Sequence, residues 1–120
     1  MSDPHLDTVV LAALQDVMED EYPLLLDTFL ADSEERVRLL HQAQQAGDAQ
    51  GVRLAAHSFK GSCSNMGAPH LAGLCKTLEE VGRRELLDEV ADLLERIERE
   101  FAIVRILFKI ERQRYAVPRI

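Results

Sequence analysis

The stretch Ala56-His57-Ser58-Phe59-Lys60-Gly61-Ser62-Cys63-Ser64-Asn65-Met66-Gly67 holds the residue types best suited to chemistry. An imidazole is available in its neutral, nucleophilic form near pH 7, since its ordinary pKa is about 6.5. Lys60 lies three residues after His57 and Gly61 four after it, the spacings that bring side chains onto one face of a helix. A glycine inside a helix costs about 1 kcal/mol relative to alanine, so its presence one turn from the histidine calls for a reason.

On a helical wheel with His57 at zero, Val52, Ala55, Phe59, Cys63 and Met66 fall between roughly 160° and 240°. That is a core stripe, and His57 lies opposite it. Arg53, Lys60, Gly61 and Ser64 fall within roughly 60° of His57. Glycine at 61 leaves room beside the imidazole for something bulky, because helical side chains lean over the preceding turn. Arg53 and Lys60 place positive charge around it, as an anion requires. An outward imidazole, an open flank and two cations describe a nucleophile that receives a phosphoryl group. No third group is placed to activate it, so the chemistry is expected to need a partner. A plain surface histidine remains the competing reading.

Two other uses of these residues compete with that one. A metal or redox site would draw on His57, Cys63, His70 and Cys75, but both cysteines map to core faces while His57 faces out, which a tetrahedral site does not accommodate. The other is a helical adaptor that binds partner proteins without phosphotransfer, its histidine dispensable.

The elements that must position this strip read as helices throughout. A first helix is predicted over 6–18, its apolar face formed by Leu6, Val9, Val10, Ala13, Leu14 and Val17, with Asp3 or Asp7 as its cap. A second is predicted over 21–46, with Tyr22, Leu25, Leu26, Phe29, Leu30, Val37, Leu40 and Ala43 on one face and Gly47 as its stop. A third runs over 49–66 behind the cap Asp48, and Gly67 ends it. A fourth is predicted over 69–81 with Gly82 as its terminator. A fifth starts near Arg84 and reaches Arg112, with a stripe of Leu87, Val90, Leu94, Ile97, Phe101, Val104 and Phe108. Short loops between long helices imply antiparallel neighbours. The expected fold is all-α, an antiparallel up-down four-helix bundle with a short extra N-terminal helix. The 120 residues form one domain, with a core over 6–112 and a tail over 113–120.

Bulk properties narrow the function. A chain of this size buries roughly two-thirds of its unfolded surface, enough for a core without metal or disulfide support. The net charge of −7 argues against nucleic-acid binding, which depends on neutralising phosphates. The two cysteines form neither a metal motif nor a disulfide framework and read as buried thiols. The N-terminus lacks the features of a signal peptide, and no apolar run approaches the roughly 20 residues of a membrane span. A soluble cytoplasmic protein is expected, and a monomer, although the apolar run around Ile103, Ile106 and Leu107 leaves self-association open.

The segment from Leu54 to Ala68, followed by Leu71, Cys75, Leu78 and Glu79, resembles the histidine-containing phosphotransfer (HPt) family. The match rests on the A-H-x-hydrophobic-K-G core, the later hydrophobic-G pair, and Leu78-Glu79. The chain looks like a stand-alone member, with no kinase, receiver or output domain beside it. The resemblance implies a phosphocarrier without kinase activity of its own. His57 would accept a phosphoryl group on Nε2 from an aspartate on the receiver of a hybrid sensor kinase, then pass it to the aspartate of a response regulator. Lys60 carries over as the cation that offsets phosphoryl charge, and Gly61 as the gap that admits the receiver. Arg53 and Ser64 are assigned to the phosphoryl-supporting strip by the wheel alone. Leu54 is either an apolar contact for the receiver or core-edge packing. The resemblance implies no cofactor or metal in this chain, with Mg²⁺ supplied by the receiver.

Overall fold

In a computed structural model of the chain, residues 4–115 are described. Five helices run in order: α1 Thr8–Met18, α2 Tyr22–Gln45, α3 Ala49–Asn65, α4 Pro69–Arg83 and α5 Val90–Gln113. Single 3₁₀ turns precede α2 (Glu19–Glu21) and α5 (Leu87–Glu89). Helices α2 to α5 form a closed ring of antiparallel neighbours, α3 lying between α2 and α4. This is the expected up-down bundle with a short leading helix. Of the expected tail, 116–120 lie outside the described residues, and 113 still belongs to α5.

Local signals explain most of the boundaries. The Asp48 carboxylate caps α3 by accepting from the Gly51 amide at 2.9 Å. Gly47 and Gly67 adopt φ of +65° and +73° where α2 and α3 end, a region that suits glycine. The Asp7 carboxylate caps α1 by accepting from the Val9 and Val10 amides; the other expected cap, Asp3, lies outside the described residues. The Asp7 amide donates to the Gly67 carbonyl at 2.7 Å, and the His70 amide donates to the Pro4 carbonyl at 3.1 Å. The leading segment is thus stitched to the α3–α4 turn.

The α2 and α5 stripes pack inward largely as expected, with Tyr22, Leu26, Phe29, Leu40, Ile97, Phe101, Val104 and Phe108 in the core. Leu87 does not join them and is 38% exposed, because it sits in the 3₁₀ turn before α5. The reading of α1 needs more correction. Val9 and Val17 are among the most exposed apolar side chains, while Leu6 and Leu11 are buried. Apolar residues occur on every side of α1, so periodicity could not choose the face that packs.

Gly82 is the second correction. It does not stop α4, which runs on through it to Arg83. The left-handed residue beyond the helix is Glu85, at φ +58°. Gly82 is instead buried at a close approach to α3. A Cβ there would sit 2.8 Å from the Arg53 amide nitrogen and 3.1 Å from the Ala49 carbonyl oxygen. Both obstacles are backbone, so no side-chain rotation relieves them. Gly82→Ala gains about 1 kcal/mol of helix propensity but parts two helices, an overpacking cost of about 1–3 kcal/mol. The expected result is a net loss of stability and a lower melting temperature by circular dichroism. An unchanged or raised melting temperature would show that the α3–α4 approach has slack.

Candidate functional site

The wheel placed His57 outward, and the structure agrees: its side chain is 65% exposed at mid-α3. On the opposite face of the helix Val52, Ala56, Phe59, Cys63 and Met66 are buried, which fixes the rotation of α3 in the bundle. Ala55, assigned to the core, packs only at its margin.

The imidazole has a partner that the single-helix wheel did not provide. His57 Nδ1 lies 2.8 Å from Glu79 Oε2, and Lys60 Nζ lies 2.6 Å from Glu79 Oε1. One carboxylate from α4 therefore holds both candidate side chains of α3. A carboxylate can only accept, so Nδ1 carries the proton and donates it to Glu79. Nε2 is then left with its lone pair. Lys60 is the main influence holding the Glu79 carboxyl below the usual glutamate range; burial opposes it, and the His57 hydrogen bond adds to it. The stabilisation from this triad is fully present above the ordinary glutamate pKa and is lost as pH falls through the lowered one.

The expectation that no third group orients the histidine is corrected by this contact. Leu78-Glu79 was visible in the sequence, but nothing placed it across from His57. Its address depends on the register of α4 against α3, which the Gly82 approach sets.

The other candidates are placed as follows. Gly61 is exposed, and a Cβ built there meets nothing within 4 Å. No packing demand in the fold accounts for a glycine at this position. Arg53 turns back along α3, its Nε donating to Gln50 Oε1 at 3.0 Å, so its guanidinium is drawn away from the imidazole. Ser64 is exposed two turns beyond His57, about 10 Å along the axis. Leu54 is 54% exposed and lines a groove of about 550 Å³ between α2 and α3, with Leu39, Ala43 and Ala55. Leu54 thus stands outside the core, at the edge of the α2–α3 groove. A residue that sequence reasoning missed, Arg36 of α2, borders this groove and donates from Nε to Ser58 Oγ at 2.9 Å.

The rival metal set is scattered. Cys63 and Cys75 are fully buried beside each other. Their mutual hydrogen bond is the first cause, and burial the second, that pushes the Cys63 thiol far above the ordinary range. His70 stands edge-on to His5, near the N-terminal segment. Among the described residues no group of three or more His, Cys, Asp or Glu could hold a metal ion, and no helix is long and apolar enough to cross a membrane.

This arrangement can present a lone pair on Nε2 to an incoming electrophile, with the far nitrogen hydrogen-bonded to an anion and an ammonium alongside. The family model for the Hpt domain matches residues 24–105, from early α2 to late α5. The crystal structure of histidine-containing phosphotransfer protein B (HptB) from Pseudomonas aeruginosa PAO1 is similar at 69% identity and a TM-score of 0.94. That similarity covers 96% of this chain and 100% of that one. No curated protein sequence matches.

Proposed function

The chain belongs to the Hpt domain family, and from that premise we propose that His57 is the atom-carrying residue of a phosphorelay intermediate. The carrying observation is the contact of Nδ1 with the Glu79 carboxylate: it engages the Nδ1 proton, so Nε2 of this exposed side chain is the nucleophile. The donor is an aspartyl phosphate on the receiver domain of a hybrid sensor kinase. The Nε2 lone pair forms a P–N bond as the P–O bond to the aspartate breaks, and the electron pair leaves with the aspartate carboxylate. The second transfer reverses this chemistry on the aspartate of a response regulator. The imidazole becomes cationic while it carries the group, and Glu79 stabilises that charge through Nδ1–H.

The other residues act by position and charge. Lys60 stands beside the imidazole to offset charge on the phosphoryl oxygens. Gly61 leaves the opening through which the receiver's active site reaches Nε2. The Leu54 groove between α2 and α3 seats the receiver, while Arg53, drawn toward Gln50, and Ser64, two turns along the axis, take no part at the imidazole. The Mg²⁺ that neutralises charge during transfer belongs to the receiver, and this chain contributes no cofactor. The carrier has no kinase activity of its own and works as a cytoplasmic monomer.

The test is incubation with a receiver domain carrying radiolabelled aspartyl phosphate. Label is expected on this protein, stable to alkali, labile to acid, and mapping to His57. No transfer from any receiver in a broad panel leaves the adaptor reading in its place.

Glu79 supplies a second, finer test. Glu79→Ala lowers the transfer rate by roughly 10- to 100-fold, the scale on which losing the carboxylate partner of a metal-bound histidine acts. Nitrogen NMR of the imidazole reports mixed tautomers in this variant and the Nδ1–H form in wild type. Glu79→Gln keeps an acceptor oxygen and retains more of the rate. Wild-type transfer by Glu79→Ala would remove the tautomer from the mechanism.

A further inference from the structure

Phosphorylation brings up to about two negative charges to this surface. Lys60, which shares a carboxylate with His57, is already paired with Glu79. Arg36 is held differently. Its Nε donates to Ser58 Oγ at 2.9 Å and its Nη1 to the Asp32 carbonyl at 3.3 Å, both uncharged oxygens. Ser58 follows His57 directly, so the guanidinium is anchored to a residue whose Cα is about 3.8 Å from that of the histidine. On the wheel Ser58 lies 100° from His57, on the side facing α2, whereas Lys60 and Glu79 lie on the side facing α4. Gly61 and Leu54 fall between Ser58 and His57. Gly61 has no side chain, and the space beside it is empty to 4 Å. On the Gly61 side the way from Ser58 to the imidazole is therefore open.

We propose that Arg36 is a phosphoryl-binding residue of the phosphorylated state, releasing Ser58 and pairing with the phosphoryl oxygens on His57 from the α2 side. This inference rests on the phosphotransfer reading. Arginine suits the task because its planar fork matches phosphate oxygens with two parallel hydrogen bonds. The opening at Gly61 then serves two purposes, since it also gives the guanidinium its route.

The equilibrium constant of transfer distinguishes this role from docking. A residue that only helps the two proteins meet changes both rates and leaves the equilibrium between the separated proteins unmoved. A residue that stabilises phosphohistidine shifts that equilibrium, by the same factor for every receiver. Transfer between this protein and two unrelated phosphorylated receivers should be followed to equilibrium from both directions. With Arg36→Ala the equilibrium should move toward the phosphorylated receiver by about 3- to 10-fold, equally for both. Arg36→Lys, which keeps the charge without the fork, should fall between. Ser58→Ala, which removes the anchor and keeps the guanidinium, should leave the equilibrium in place or move it toward phosphohistidine. Slower transfer by Arg36→Ala at an unchanged equilibrium would overturn the proposal, as would a Ser58→Ala shift matching that of Arg36→Ala. Wild-type protein that takes no label from any receiver would instead sink the phosphotransfer reading.

Discussion

His57→Gln takes up no phosphoryl group from any phosphorylated receiver, and it melts with the wild type. The side chain is 65% exposed and its hydrogen-bond partner is Glu79, so the core does not depend on it. Substitutions at such positions usually change stability by no more than about 0.5 kcal/mol. Glutamine is of similar reach and can still donate to Glu79, but its amide nitrogen has no lone pair to offer phosphorus. The loss therefore tests the acceptor atom and little else. The other histidines are set up differently. His5 Nδ1 is bonded to the buried Glu100, which ties it to the packing of the N-terminal segment. His41 meets Glu98 through Nε2, occupying the nitrogen that His57 leaves available. His70 stacks edge-on with His5. Wild-type labelling of the His57→Gln protein would move the carrier role to one of these three and refute the site.

Gly61→Phe lowers the transfer rate by at least about 100-fold while the protein stays folded and melts no lower than wild type. The physical basis is the empty volume at this position, where a Cβ meets nothing within 4 Å. A Cβ there costs the bundle nothing in packing, and an aromatic side chain on an exposed position relieves part of the glycine penalty of about 1 kcal/mol. A phenyl ring would instead occupy the approach to Nε2. In-line phosphoryl transfer tolerates little displacement, and a misplacement of about 1 Å is worth roughly 100-fold. Stopped-flow transfer from a labelled receiver measures the rate, and thermal circular dichroism measures the fold. Transfer at the wild-type rate would show that the receiver approaches from another direction, and the steric role of Gly61 would be lost.

How much of this was legible in the sequence follows from what one helix can report about itself. The outward aim of His57 is a property of α3 alone, and its apolar stripe was sufficient to give it. The caps at Asp7 and Asp48 and the left-handed glycines 47 and 67 are equally local. Glu79 was present in a recognisable pair, yet its bond to His57 spans two helices and depends on their register. Arg36 is a similar case, one of several arginines on a charged helix until the fold sets it against Ser58. Gly82 reads in the sequence as a stop because a glycine near a helix end usually is one. Only the packed neighbour distinguishes a terminator from a contact. The error in α1 has the opposite origin, an excess of apolar residues that gives periodicity no contrast.

The two glycines also make opposite demands on the lineage of this protein. Gly82 holds α3 and α4 at the spacing that sets Glu79 against His57, so replacing it harms folding and transfer together. Gly61 weakens its helix and serves only the surface. A population selected for thermal endurance alone would keep Gly82 and discard Gly61, and in doing so would drift toward a sturdier bundle that no longer relays a signal.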